Sequence, residues 1–282
     1  MRADGKRLRN VDPMYTVAPY IMSERNDAMN MITLDIPVAP MQQYLNQCRK
    51  NGRKISHMAI LIAAYLRTMA QYPELNRFVV NRKIFTRNEI AVAMVVLKSG
   101  KDHEGTMTKM YFEPNNTIFE VQDIIDKFVE ENRQVPEKNK TEKLIKILLS
   151  IPGLLPVGVG IIKWMDKHGL LPKAIIDASP FHTSLCITNL ASIRTNHIYH
   201  HCYNFGTTSV FFAMGNQREV AKRQGDEVVF ERCMPIGVVM DERIASGSYF
   251  ALAFRYMQKF LSDPSLLETP PEEIVPDPAL VK

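Results

Sequence analysis

The chain has 282 residues, 46% of them hydrophobic and 23% charged, with a net charge of +5. This is the balance of an ordinary globular protein, and the length allows one large domain or two small ones. The basic residues are scattered, without an arginine-rich tract or a basic–aromatic stripe, so nucleic acid is not an expected partner. Cys48, Cys186, Cys202 and Cys233 lie far apart. No CxxC pair is present, so neither metal-ligand spacing nor a disulfide framework is expected, and the pattern suits a reducing compartment. The polar N-terminus has no apolar h-region, so the expected location is cytoplasmic.

Residues 1–19 read as a polar arm. Met31–Val38 alternates and predicts a strand. Pro40 suits the first residue of a helix with Met41, Tyr44, Leu45 and Cys48 on one face, ended by Asn51-Gly52. Ser56 can cap the next helix, His57–Tyr72, which is apolar on nearly every face and predicts a buried central element. His57 at its start reads as structural. Pro73 closes the helix. Phe78–Val80 and Ile84–Phe85 flank Asn81-Arg82-Lys83 and predict a hairpin. Ile90–Leu97 is an apolar run of strand length, followed by a polar loop at 98–106 and a second strand at Thr108–Phe112. Thr117-x-x-Glu120 forms a capping box opening a helix through Phe128. Gln134–Thr141 is a polar break.

Residues 143–171 form an unusual apolar segment. Ile147–Ile162 carries no charge, yet it is shorter than the roughly 20 residues a membrane span needs, and Pro152, Gly153, Pro156, Gly158 and Gly160 interrupt it. It reads either as a helix–turn–helix covering core or subunit surface, or as a contact for a membrane surface or a protein partner. Thr183–Leu190 and Thr207–Met214 predict strands. Between them lies a loop holding His197, His200 and His201. Gln224–Asp226 turns into a long β-branched strand, Val228–Met240, and Tyr249–Leu261 has helical spacing. Thr269–Lys282, with four prolines, reads as a loose tail. Strands and helices mix without a linker or repeat, which predicts a single α/β domain over 1–282.

The corner Asp241-Glu242-Arg243-Ile244-Ala245-Ser246-Gly247 joins the last strand to the last helix. Three consecutive charges at the end of a buried strand are costly unless paired or used. Taken together, LCITNLAS (185–192), VFFAMG (210–215) and DERIASG (241–247) resemble the strands TFTISNLG and AILAVG and the motif DHRxxDG of dihydrolipoamide acyltransferase catalytic domains. These are the core subunits of 2-oxoacid dehydrogenase complexes and relatives of chloramphenicol acetyltransferase. The resemblance spans roughly residues 20–268. Residues 143–171 find no counterpart in it and read as an insertion.

The resemblance implies a chloramphenicol acetyltransferase-like fold, a mixed-sheet two-layer α/β sandwich, assembled as a homotrimer. It also implies acyl transfer from a coenzyme A or lipoyl thioester to a thiol, hydroxyl or amine, without a metal. By position, Thr188 stands where the family's oxyanion-stabilising hydroxyl lies, and both serine and threonine can donate that O–H. Glu242 stands where the family's basic histidine lies, Ser246 replaces the motif's aspartate, and Gly247 is retained. Fewer than 20 residues precede the first matched element, so no lipoyl domain is expected and diffusible acyl-CoA is the expected donor.

A free glutamate titrates near 4.3 and a thiol near 8.5, a gap that sets about 5–6 kcal/mol against full proton transfer to an unperturbed carboxylate. Glu242 is therefore either a base retuned by burial or an ion-pair partner of Arg243. His200 or His201 offers a replacement base, as does His197. Alternatively, Tyr-His-His-Cys-Tyr is aromatic packing. His182 is the weakest candidate. A trimer of the same fold that binds acyl-CoA, lipid or a protein without chemistry is the alternative function.

Overall fold

The computed structural model describes residues 2–97, 105–133, 150 and 153–280. Of the polar loop expected at 98–106, residues 98–104 lie outside them and 105–106 open a strand; the break at 134–141 and the front of the 143–171 segment also lie almost wholly outside them.

A seven-stranded mixed sheet forms the body. Its strands are β2 (Met29–Pro37), β5 (Ile90–Leu97), β6 (Gly105–Phe112), β7 (Leu185–Asn189), β8 (Val210–Met214), β9 (Arg218–Gln224) and β10 (Glu227–Asp241). The order is β2-β10-β8-β7-β5-β6, and β9 pairs with the outer half of β10. β7 runs parallel to both β5 and β8, while the remaining pairs are antiparallel. A separate antiparallel sheet, β1-β4-β3, combines β1 (Gly5–Arg7), β3 (Arg77–Val80) and β4 (Lys83–Arg87).

One face of the large sheet carries the helical layer. Alternate residues Ile187, Phe212, Ile236 and Val238 point into it. They meet α2 (Val38–Lys50), α3 (His57–Gln71), α4 (Ile118–Arg133) and α7 (Gly247–Ser262). Every residue of α3 from Met58 to Ala70 is buried, as its all-round apolar pattern predicts. The Ser56 hydroxyl accepts from Ala59 N, and Gln122 of α4 receives both the amide and the hydroxyl of Ser56. One cap therefore joins two helices. The opposite face is smaller. Ala93, Cys186, Phe211 and Val239 form it with Cys202, which comes from a strap, residues 194–206, laid over the strands.

The structure departs from the sequence reading at four places. The N-terminal arm is structured: β1 pairs with β4, and α1 (Pro13–Ile21) follows, capped by Asp12. β9 is a strand that its charged composition conceals, because both of its faces are largely exposed and no apolar alternation is needed. The segment around 156–160 does not break. Helix α5 (Leu154–His168) runs through it because Pro156 lies in the first turn, where a missing N–H leaves no bond unmade, and interior glycines cost only about 1 kcal/mol each. A short helix, α6 (Lys173–Ala178), comes next.

The fourth change is the C-terminal segment, which is not loose. Asp277 is 3% exposed and grips Arg77 at 2.6 and 2.7 Å. Thr269 accepts from Arg67, and Val275 N donates to Ala70 O. Ala279 packs on the main core. Its prolines and acids favour solvent locally, but a buried arginine on another strand supplies the partner that makes burial favourable.

Among the described residues no helix is long and apolar enough to cross a membrane. α5 is tied down by one charged residue. Asp166, 5% exposed, receives Arg2 Nη2 at 2.7 Å, and the same guanidinium binds Asp4 at 2.9 Å. On its other side α5 exposes Val157, Ile161 and Trp164.

Candidate functional site

β10 fixes the corner. Nine of its residues pair with β2 and five with β8, and the strand ends at Asp241, which is fully buried. Arg243 folds back onto that carboxylate with two 2.8 Å bonds, and Arg25 Nε stands 3.4 Å from it. Arg243 also donates to Met22 O, while Arg25 donates to Tyr203 O, Gly206 O and Val79 O. Two guanidiniums on one carboxylate leave an excess positive charge inside the protein. Burial, and Arg243 as a like charge, hold the Arg25 guanidinium below its ordinary value despite Asp241.

Arg243 is thus committed to Asp241, and the expected Glu242–Arg243 ion pair does not form. Glu242 is partly buried. Its amide donates to Ala28 O at 2.9 Å, and its Oε2 accepts from Asn30 Nδ2 at 2.7 Å. Among the described residues Oε1 has no hydrogen-bond partner. Ser246, in the motif's aspartate position, caps α7 by accepting from Tyr249 N at 3.1 Å. A serine satisfies that helix end as an aspartate would.

Thr188 lies elsewhere. It occupies the row Thr188–Ala213–Gly237–Thr33 across β7, β8, β10 and β2. Its neighbour Ile187 points into the helical layer, so Thr188 faces the opposite side, with Cys186. Asn30, which holds Glu242, pairs with Met240 of the helical layer. Within one chain, the two positions are therefore on opposite faces. Strand spacings separate Gly237 from Glu242 by about 17 Å along β10 and from Thr188 by about 10 Å across the sheet. No side-chain hydrogen bond engages the Thr188 hydroxyl among the described residues.

The histidines gather on Thr188's face. His200 stacks on Phe211 at 4.1 Å, His201 stacks on His200 at 5.1 Å, and Tyr203 meets both rings edge-on. This is the aromatic packing reading of Tyr-His-His-Cys-Tyr. His197 is placed differently. Its Nε2 lies 3.1 Å from Thr33 Oγ1, which also meets the Tyr199 hydroxyl. Among the described residues its buried Nδ1 has no partner. Burial, and then Arg218, lower its pKa and favour the neutral ring.

The strap needs two glycines for this placement. A Cβ at Gly237 would lie 2.1 Å from Ile198 O, and one at Gly215 would lie 2.1 Å from His197 N. A glycine inside a buried strand signals close backbone approach. Gly237 in VVFERCMPIGVVM is the sequence signal that another stretch of backbone crosses this strand closely. Of the weaker candidates, His182 is 1% exposed, with Nδ1 2.8 Å from Ser179 Oγ and Nε2 3.3 Å from Asp166 Oδ1, and burial lowers the pKa of His57. Among the described residues no group of three or more His, Cys, Asp or Glu is placed to hold a metal ion.

The architecture is that of the chloramphenicol acetyltransferase-like acyltransferase cores. A probable dihydrolipoamide acetyltransferase from Listeria monocytogenes matches with a TM-score of 0.57 at 10% identity, over 91% of this chain and 94% of that one. The cubic core of a pyruvate dehydrogenase multienzyme complex matches with 0.59 at 8% identity, over 90% and 88%. A chloramphenicol acetyltransferase matches with 0.54 at 12% identity, over 91% and 99%. These likenesses establish the fold. No model of a known family matches the chain, and no curated protein matches it in sequence.

Proposed function

We propose that this protein is an acyltransferase that works as a homotrimer. Acyl-CoA is the donor, and a thiol, hydroxyl or amine is the acceptor. The observation that carries the reading is the state of Glu242. At the strand-end position of an acyltransferase fold stands a carboxylate with one oxygen held by Asn30, the other open, and the adjacent arginine drawn away onto Asp241. Glu242 takes the proton of the acceptor X–H as X bonds to the thioester carbonyl carbon. Thr188 of a neighbouring subunit donates its O–H to the developing oxyanion. The C–S bond then breaks, and the departing CoA thiolate recovers the proton.

Thr188 and Glu242 diverge within one chain, so a shared centre requires two chains. The buried, unpaired cysteines fit a cytoplasmic location. The test is incubation of the full chain with acyl-CoA thioesters and a panel of thiol, hydroxyl and amine acceptors, following free CoA. Turnover lost in Glu242→Gln supports the reading. Acyl-CoA binding by calorimetry without any product would instead favour a non-catalytic binding trimer.

A further inference from the structure

The cleft beside the 241–243 corner carries more positive charge than the corner uses. It has a volume of about 520 Å³ and lies between the β3–β4 hairpin, the strap's end and α5. Arg25 and Arg243 line its floor and are committed to Asp241. Its two carboxylates are also committed: Asp166 to Arg2, and Glu24 to the Asn204 amide. Arg82, Lys163 and Lys167 remain, and among the described residues none of the three has a carboxylate partner.

The placement of these cations runs against local preference. Lys163 and Lys167 stand one turn apart on the same side of α5, where like charges repel. Arg82 sits at the hairpin tip with φ 60, after Asn81 at φ 49. A two-residue turn of this kind favours asparagine followed by glycine, so an arginine there is conformationally disfavoured. Its guanidinium rests over the Tyr20 ring at 5.0 Å. Two separate elements thus bring unneutralised cations to one concavity. A concave wall of single-sign charge concentrates counter-ions. An arginine fork beside two ammonium groups matches the several oxygens of a phosphate better than the two of a carboxylate.

We propose that this cleft is an anion site for a phosphate or pyrophosphate ester, gripped by Arg82, Lys163 and Lys167. Two sources share that chemistry: the nucleotide end of a CoA thioester and a phosphorylated acyl acceptor. Only the choice between them rests on the acyl-transfer reading.

The test is titration calorimetry on the full chain, with inorganic pyrophosphate as the probe. Wild type binds, and raising salt from about 0.05 to about 0.5 M weakens binding severalfold. The double variant Lys163→Glu/Lys167→Glu, and separately Arg82→Glu, weaken it about tenfold or more, whereas Lys163→Arg/Lys167→Arg stays within about threefold. Arg255→Glu, a charge reversal outside the cleft, leaves binding unchanged. If wild type binds no pyrophosphate at millimolar concentration, or if the Glu variants bind like wild type, the site is overturned. Acetyl-CoA affinity that falls with the Lys163/Lys167 reversal, with acetyl-pantetheine unaffected, identifies the CoA source. Unchanged acetyl-CoA affinity alongside lost pyrophosphate binding identifies the phosphorylated acceptor. Absence of turnover would sink the acyl-transfer reading and leave the pyrophosphate result standing.

Discussion

Asn30 Nδ2 donates to Glu242 Oε2 at 2.7 Å, while Arg243 turns onto Asp241. The corner therefore divides into a structural half, Asp241 with its two arginines, and a half with chemistry available, Glu242. Glu242→Gln keeps a hydrogen-bonding partner for Asn30 and removes the proposed base. Turnover is expected to fall by about 10²–10⁴, with the unfolding midpoint nearly unchanged. Asp241→Asn should do the reverse, lowering the unfolding free energy by about 3–5 kcal/mol because two buried arginines lose their counter-charge. Steady-state rates and urea melts on both variants separate the two halves.

The proposed centre, shared between subunits, makes a complementation prediction. Thr188→Ala and Glu242→Gln are each expected to be nearly inactive. Refolding them together at equal amounts should restore about a quarter of wild-type sites, because a random mixture pairs the intact Thr188 of one chain with the intact Glu242 of its neighbour at that frequency. Absence of recovery in mixed trimers, verified by mass, would show that each chain carries its own complete site.

The attachment of α5 can be followed directly, because Trp164 is the only tryptophan and lies on that helix. Burial would raise Asp4 and Asp166, but Arg2 outweighs it at Asp4, and His182 together with Arg2 outweighs it at Asp166, so both carboxyls sit below their usual value. The folded state therefore binds protons less readily than the unfolded state. The stabilisation is complete above the unfolded value near 3.8 and is lost as pH falls through the lower folded values. Asp166→Asn should flatten the acid limb of stability between about pH 5 and pH 2 and lower Trp164 anisotropy at neutral pH. An unchanged anisotropy would mean that other contacts hold α5.

Lys109 offers the opposite sign. Burial lowers its pKa to about 8, although it donates to Ile176 O and His182 O. The folded state releases this proton earlier than the unfolded state does. Its charge is a burden at neutral pH that lifts as pH rises from about 8 toward 10.5. Lys109→Met should remove that alkaline rise in urea midpoint.

Arg82→Gly should raise stability by about 0.5–1 kcal/mol, because glycine suits the left-handed turn that Arg82 occupies. The same change should weaken pyrophosphate binding. A thermal melt and one calorimetric titration read both effects.

Much of the architecture was legible in the sequence. The buried α3, the Thr117–Glu120 capping box, the hairpin around Asn81-Arg82 and the strand-to-helix corner at 241–247 all follow from periodicity and turn chemistry. These signals are local, because each depends on residues within a few positions. Only the tertiary structure decided which charges meet. Asp241 finds Arg25 and Arg77 finds Asp277, pairs separated by about 200 residues that composition cannot match. The same pairing turned a proline-rich segment into a packed terminus and freed Glu242 from Arg243. It also placed Thr188 and Glu242 on opposite faces. A strand's alternation says only that its two sides differ, while register and connectivity decide which side meets what.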